Sequence, residues 1–317
     1  MTKSTWSTYK TAKTMLKKCE KETNTDMSLP IDRNKILIFI DWLARCRGLK
    51  CSTINTYLAG IRQLHIIQGI EPPIIRDGLV KLILKGISNK DGVNKRAGNF
   101  KGRLPMTLNM MHVLRKLIKT SDYTKNDKKL IWAVSTIAFA GAFRIGEILA
   151  KLESTFDPNF TLLAKDVTLS TDKDNKTVLH ICLKCPKESK TAAPTVVDIF
   201  QNNGPLCPVK AFLAWRNRKV REPDMPLFRQ ENGTPLTGTK MNKIIRKLLD
   251  PYTNELVGVF GTHSFRIGIA SMLGNHGYTD EDIMAAGRWS SRAFEAYTKL
   301  KRTRRALIGK QISLLSH

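Results

Sequence analysis

The sequence predicts a mainly α-helical protein with two domains and one small antiparallel β-sheet. Within residues 1–88, apolar residues recur every three or four positions, which is typical of helices with one buried face. Residues 89–103 are rich in Gly, Asn and Lys, carry no apolar periodicity and indicate a basic flexible linker. Val178–Leu183 and Thr195–Phe200 are rich in β-branched and apolar residues and indicate paired strands. The second domain would then cover residues 104–317.

The expected helices follow from apolar spacing and from residues that begin or end helices. Ser52 or Thr53 would cap the third helix, and Gly48 and Gly69 would end the second and third. In the second domain the helices should pack around the small sheet. The expected spans are Trp6–Cys19, Asp32–Cys46, Ser52–Gln68 and a segment after Pro73 in the first domain, and Leu108–Lys119 and Lys129–Phe139 in the second.

The charge of the chain indicates an anionic partner. Its 53 Lys and Arg residues against 27 Asp and Glu residues give a formal net charge of +26, far more than solubility requires. A phosphate-rich polymer such as nucleic acid fits this excess. The sequence has neither an apolar run near the length that crosses a bilayer nor a signal-like N-terminus. We therefore expect an intracellular protein that is not attached to a membrane.

Two arginines, a histidine and a late tyrosine form the candidate site. They are Arg144 in AFRIGE, His263 and Arg266 in HSFR, and Tyr297. Planar guanidinium groups bind the non-bridging oxygens of a phosphate two at a time. A phenol is a weak nucleophile at neutral pH, so it needs a neighbouring base or a cationic pocket. This set suits a tyrosine that attacks a DNA phosphodiester.

The local sequence places these groups on helices and gives one of them a partner. His263 and Arg266 are three residues apart in an apolar stretch, so they share one face of a helix for which Thr262 is the expected cap. Arg144 follows an almost uncharged stretch, and arginine is rarely buried without a partner. Glu147, three residues on, would hold its guanidinium.

A second short helix should lie between HSFR and the tyrosine. It should begin near Thr279, where three acidic residues occupy the first turn, and stop at Gly287. Arg288 and Trp289 would then lie in a turn. Tyr297 would lie on the next helix, which could carry the phenol towards a bound phosphate.

Other chemistries lack the residues that they need. Gly141 and Gly146 have the spacing of a phosphate-binding P-loop, but Glu147 and Ile148 stand where a lysine and a hydroxyl are required. The six cysteines are too scattered for a disulfide framework, and the CxxC at 182–185 lacks further zinc ligands. The sequence contains no group of converging carboxylates. We therefore expect neither a nucleotide nor a metal cofactor.

Together these motifs resemble those of the tyrosine recombinases, the phage integrase superfamily. The resemblance is carried by AFRIGE at Ala142–Glu147, HSFR at His263–Arg266, GRW at Gly287–Trp289 and the tyrosine at 297, and it spans nearly the whole chain. The GRWSS run is most similar to that of recombinases from Crypton and DIRS-like eukaryotic mobile elements. The resemblance implies a helical N-terminal core-binding (SAM-like) domain and an α-helical catalytic domain with a small antiparallel sheet.

The resemblance also implies a role for each matching residue. Arg144 and Arg266 would bind the scissile phosphate, with Glu147 in support. His263 would transfer protons and Tyr297 would be the nucleophile. The expected activity is site-specific DNA breakage and rejoining, as in integration and transposition, through a 3′-phosphotyrosyl intermediate formed without ATP or metal.

Two further catalytic groups are implied in the same way. Trp289 takes the place of a second histidine found in many members, and its indole N–H would donate a hydrogen bond to the phosphate. The family places a lysine on a β-hairpin turn, where it protonates the leaving 5′ oxygen. Lys184, Lys187 and Lys190 are the candidates here. Lys187 is preferred because it lies just past the strand, and the other two stay open.

Double-stranded DNA is the partner that the resemblance implies. The protein would form a dimer on each DNA site and a tetramer across two sites. In a eukaryotic cell it would act in the nucleus. Two alternatives stay open: a type IB topoisomerase, which relaxes supercoils with the same chemistry, and a domesticated protein that only binds DNA. The candidate DNA-binding residues are Lys50, Thr53, Asn55, Arg62 and Lys85 in the first domain, Lys95, Arg96, Lys101 and Arg103 in the linker, and Arg288.

Overall fold

The computed structural model describes residues 3–73, 77–96, 102–184, 194–216, 222–252 and 258–296. Contacts divide the chain into two compact units, Met1–Phe100 and Lys101–His317. Each unit has an apolar core of its own. Within the described residues, no helix is both long enough and apolar enough to cross a bilayer.

The described part of the first unit is built from α1 (Lys3–Thr23), α2 (Arg33–Arg45), α3 (Cys51–Ile67) and α4 (Gly78–Arg96). Their apolar faces meet in one core that includes Leu16, Phe39, Ile54 and Val80. The helices predicted from the apolar spacing are confirmed, with ends shifted by a few residues. Gly48 and Gly69 follow α2 and α3 at φ 59° and 69°, a left-handed conformation that glycine adopts without steric cost.

The start of α3 differs from the prediction. The helix begins at Cys51, and Lys50 at its N-cap makes no side-chain capping hydrogen bond, so neither Ser52 nor Thr53 is the cap. The Cys51 N–H donates instead to the Asp91 carboxylate at 2.8 Å. Because that acid lies in α4, the interaction leaves no local signal in the sequence.

The predicted linker over 89–103 is partly wrong. α4 continues to Arg96, so the first half of this segment is helical. Its lysines and asparagines suit a solvated helix as well as a loop, because neither residue type prevents helix formation. The contact between Asp91 and the start of α3 holds this stretch against the rest of the unit.

The second unit combines helices with short strands. Its helices are α5 (Leu108–Thr120), α6 (Lys125–Ala140), α7 (Ile145–Ile148), α8 (Pro208–Arg216), α9 (Gly238–Leu249), α10 (His263–Asn275) and α11 (Asp280–Gly287). Its strands are β1 (Gly102–Arg103), β2 (Val167–Thr171), β3 (Thr177–Leu183), β4 (Thr195–Phe200) and β5 (Gly258–Val259). The mainly α-helical class with a small antiparallel sheet is therefore confirmed.

The sheet has the antiparallel order β2-β3-β4, with Leu179 opposite both Leu169 and Ile199. β1 and β5 form a separate parallel pair, in which Arg103 lies opposite Val259. Helix α6 is buried from Leu130 to Phe139 apart from Trp132 and packs against α5, α8 and α10. α10 also contacts α11. The loops that follow α6 and α11 consequently meet α10, and they carry the candidate site.

Candidate active site

The N-terminal turn of α10 carries two of the predicted residues. His263 and Arg266 both lie in this turn, as their spacing predicts. Thr262 occupies the N-cap position, but its side chain makes no capping hydrogen bond. Asn242 of α9 instead accepts a hydrogen bond from the Thr262 N–H at 3.1 Å. The expected side-chain cap is thus not formed, and a neighbouring helix instead binds the backbone of the cap residue.

Arg266 is held inside the protein, with 1 % of its surface exposed. Its Nη1 donates to the carbonyl oxygen of Ala142 at 2.5 Å. Its guanidinium carbon lies 4.2 Å from the centroid of the Trp289 ring, a cation–π contact. That indole is buried against Ile283 and Phe294. The ring expected to donate to a phosphate therefore forms an apolar surface against Arg266.

The loop between α6 and α7 directs its carbonyl groups towards the arginines. Ala142 adopts φ 46°, and a Cβ at Gly141 would lie 2.2 Å from the Phe143 ring, so the preceding position requires glycine. The Gly141 oxygen accepts a hydrogen bond from Arg288 Nη1 at 3.0 Å. The next carbonyl accepts from Arg266. One loop thus binds two arginines that both lie far from it in the chain.

Arg144 directly precedes α7 and is bound by the acid three residues on. Its Nη1 donates to Glu147 Oε1 at 3.0 Å, and its backbone N–H donates to Oε2 at 2.9 Å. The ion pair expected from the sequence is therefore present. Glu147 Oε2 also accepts a hydrogen bond from Arg288 Nη2 at 3.1 Å. One carboxylate joins two guanidinium groups.

Arg288, for which a DNA contact is predicted, has its guanidinium group bound within the protein. The expected helix before it is confirmed: α11 begins after a Thr279 cap and ends at Gly287. Arg288 follows in the left-handed conformation at φ 52°, with 19 % of its side chain exposed. Burial lowers the pKa of Arg288, the Glu147 carboxylate opposes that shift, and Arg144 adds to it. The residue belongs to the site interior.

The groups around His263 are mainly cationic. Loss of hydration lowers the pKa of His263 although part of the ring stays exposed, and the positive charges of Arg266, Arg103 and Arg144 lower it further. Since an unperturbed histidine titrates near pH 6.5, this imidazole is neutral at pH 7. The structure thus brings Arg144, His263 and Arg266 together in one cationic cluster.

Several solved structures share this architecture at low sequence identity. The XerH site-specific recombinase bound to a palindromic difH substrate has a TM-score of 0.59 and 20 % identity, covering 94 % of this chain and 76 % of that chain. The Tn1549 transposon integrase in complex with circular intermediate DNA gives 0.54 and 16 %, covering 94 % and 92 %. A lambda integrase dimer bound to a COC′ core site gives 0.57 and 11 %, covering 94 % and 72 %.

This chain has the integrase and recombinase fold. No protein-family model and no curated protein sequence matches it. Sequence identities of this size establish the architecture alone, so the chemistry must follow from the residues of the site.

Arg103 is a member of the site that sequence reasoning placed elsewhere. It was predicted to contact DNA from a flexible linker, but within the recombinase fold it lies in β1 and donates to the Phe260 oxygen at 3.4 Å. Burial lowers the pKa of Arg103, and the positive charge of Arg246 in α9 lowers it further. A Cβ at Gly261 would lie 2.8 Å from Arg103 Nη1, so glycine permits this approach. The only sequence signal was the basic character of the segment.

The hairpin lysines divide into one that is described and two that are not. Lys184 Nζ forms an ion pair with Asp166 at 2.7 Å and donates to the Pro158 oxygen at 2.9 Å. Its ammonium group is therefore held near the C-terminal end of β3. The preferred Lys187, like Lys190, lies outside the described residues.

The remaining candidates either lie outside the described residues or belong to the first unit. Tyr297 and Lys101 lie outside the described residues, as do the side chains of Lys95 and Arg96 in α4. In the first unit, Thr53 is half-buried and the Asn55 amide donates to the Cys51 oxygen at 3.0 Å. The exposed candidates of that unit are Lys50, Asn55, Arg62 and Lys85.

Proposed function

We propose that this protein is a site-specific DNA recombinase that breaks and rejoins strands through a tyrosyl phosphodiester. The main support is the gathering of Arg144, His263 and Arg266 in one cationic cluster, where the loop after α6 meets α10. Two guanidinium groups beside a neutral imidazole suit a phosphate that is attacked by a hydroxyl group. The fold that positions them is shared with recombinases whose structures contain DNA.

In the proposed reaction, the Tyr297 oxygen attacks the scissile phosphorus while the bond to the 5′ oxygen breaks. Arg144 and Arg266 stabilise the charge on the non-bridging oxygens. His263, neutral at pH 7, accepts the phenolic proton. Lys187 donates a proton to the departing 5′ oxygen. The product is a 3′-phosphotyrosyl ester, and attack by a 5′ hydroxyl reverses each step.

The contacts of Lys184 argue against it as the general acid, which leaves the preferred Lys187 in that role. A general acid must reach the departing oxygen and release its proton there. The Lys184 ammonium group is engaged by Asp166 and by a carbonyl oxygen. Lys190 is the remaining alternative.

The burial of Arg266 implies that the site opens when DNA binds. With 1 % of its surface exposed, this arginine cannot reach a phosphate until part of its covering moves. Trp289 is part of that covering and stacks on the guanidinium. We therefore propose that Trp289 orients Arg266 by stacking, a role that replaces the expected hydrogen bond to the phosphate.

Double-stranded DNA is the proposed substrate, and the net charge of +26 supports it. The DNA complexes of XerH, Tn1549 integrase and lambda integrase support the same partner. A dimer on each site and a tetramer across two sites remain part of the proposal. We also propose that the protein belongs to a mobile element of the Crypton or DIRS-like kind, because of its GRWSS run. In a eukaryotic cell it would act in the nucleus.

A covalent trapping experiment tests the proposed chemistry. Duplexes that bind the protein are selected from a random-sequence pool and nicked at successive positions, so that a short strand diffuses away after cleavage and the adduct accumulates. Wild-type protein is expected to form a denaturant-resistant adduct, and Tyr297→Phe none. Tyr278→Phe, which changes an exposed tyrosine, is the matched control and should react as wild type does. Equal adduct from Tyr297→Phe would contradict the assigned nucleophile.

The same duplexes distinguish the proposed recombinase from its alternatives. Exchange of strands between two sites supports recombination, whereas relaxation of supercoiled plasmid by a monomer without exchange indicates a topoisomerase. Binding without any adduct from wild-type protein indicates a domesticated DNA-binding protein.

A further inference from the structure

Arg288 occupies a backbone position that an arginine rarely takes. It follows the last residue of α11 in the left-handed conformation, at φ 52° and ψ 50°. Glycine or asparagine is usual there, because other side chains crowd the backbone. An arginine at such a position must be held there by the structure around it.

The side chain of Arg288 is held from three directions. Nη1 donates to the Gly141 oxygen at 3.0 Å, and Nη2 donates to Glu147 Oε2 at 3.1 Å. The guanidinium carbon lies 4.8 Å from the centroid of the Phe143 ring. These contacts therefore fix the Arg288 guanidinium group beside the ion pair of Arg144 and Glu147.

The charges of these three groups determine what Arg144 offers a phosphate. Arg144 and Glu147 alone form a pair with no net charge, and 26 % and 11 % of their side chains are exposed, so water screens the pair incompletely. A neutral pair attracts a phosphate weakly. With Arg288 bound to the same carboxylate, the cluster carries one net positive charge.

We infer that Arg288 is a charge-compensating residue. It neutralises Glu147, so that the cluster of Arg144, Glu147 and Arg288 offers a net positive charge to the scissile phosphate. The inference rests on the proposed function, because it assumes that Arg144 binds the reacting phosphate. Arg288 itself acts through Glu147 and does not touch the DNA. It is a positioning residue whose effect is electrostatic.

A rescue experiment tests this role with the trapping assay under single-turnover conditions. Arg288→Ala should form the adduct about 10²-fold more slowly, the loss typical of one electrostatic group at a preorganised site. Adding Glu147→Gln removes the charge that Arg288 compensates. The double variant Glu147→Gln/Arg288→Ala should therefore react about tenfold faster than Arg288→Ala alone.

Two other roles for Arg288 predict different results. If Arg288 only supports the fold, the double variant will react no faster than Arg288→Ala. If Arg288 contacts a DNA phosphate, Arg288→Ala will weaken DNA binding and reduce the dependence of log K on log salt by about one. Either result would overturn the inference.

A matched control is Arg229→Ala, which removes another partly buried, ion-paired arginine of the same unit. Arg229 is 21 % exposed and pairs with Glu222 at 3.5 Å, so its loss should leave the adduct rate unchanged. Wild-type protein without any adduct would refute the proposed function and, with it, this inference. Wild-type protein that reacts alongside an equally fast Arg288→Ala would refute the inference alone.

Discussion

The two arginines proposed to bind the phosphate are held in different ways. Arg266 lies within a regular helix and is fixed by packing, with the Trp289 ring on one side and a carbonyl oxygen among its partners. Arg144 precedes a helix of only four residues and is fixed by charge, through a carboxylate that it shares with Arg288. One half of the site therefore depends on shape, and the other half depends on the balance of charges.

Because the two arginines are held differently, different kinds of substitution should disturb the Arg266 half and the Arg144 half of the site. A steric change near α10 should displace Arg266 together with His263, because both lie in the same helical turn. A change of charge should alter Arg144 or the titration of His263 while the fold stays intact. Because closely packed interiors tolerate added volume poorly, the steric change should have the larger effect on stability.

The largest expected effect comes from Gly268→Ala in α10. A Cβ at this position would lie 2.0 Å from the Met106 backbone oxygen, so the helix must move away from the segment before α5. The free energy of unfolding should fall by about 3 kcal/mol, the upper part of the range for overpacking. Urea titration measures the change.

The matched control for this change is Gly146→Ala in α7. No atom lies within 4 Å of a Cβ added there, although the residue is next but one to Arg144. Alanine is the better helix former by about 1 kcal/mol or less, so stability should rise slightly or stay the same. Equal losses in the two variants would contradict the conclusion that packing holds α10.

A smaller effect is expected from Arg103→Gln, which removes a charge beside His263. The positive charge of Arg103 lowers the pKa of His263, so its removal should raise that pKa. Protonated histidine cannot accept the tyrosine proton, and the rate should therefore fall at a higher pH than in wild type. The single-turnover adduct rate between about pH 5 and 8 gives the midpoint of this acid limb.

The control for the pH experiment is Arg229→Gln. Arg229 pairs with Glu222 and is not among the charges that act on His263, so the midpoint of the acid limb should match that of wild type. An unchanged midpoint in Arg103→Gln, or one moved to lower pH, would mean that Arg103 does not act electrostatically on His263.

Local patterns predicted the parts of the site that depend on local structure. The three-residue spacing placed His263 and Arg266 on one helical face, and the acidic first turn with Gly287 gave both ends of α11. The pairing of Arg144 with Glu147 also followed from a short separation along the chain. In each case the interacting groups lie within one helical turn, so the sequence carries the signal.

Contacts between distant segments could not be predicted in this way. Asn242 binds the Thr262 N–H from a neighbouring helix, and β1 brings Arg103 beside α10 through a parallel pairing of only two residues. Such short strands have no periodicity to detect. The sequence places Arg288 in a turn and predicts a DNA contact for it. Its inward direction depends on a carboxylate and a carbonyl that lie far away in the chain.

Arg144 and Arg266 are proposed to neutralise the same scissile phosphate. The most direct measurement compares adduct formation on two duplexes, one with a normal scissile phosphate and one in which a methyl group replaces a charged non-bridging oxygen. Arg144→Ala and Arg266→Ala should each prefer the uncharged substrate at least about tenfold more than wild type does, since less charge then needs an arginine. The same relative preference in both variants and in wild type would contradict the claim.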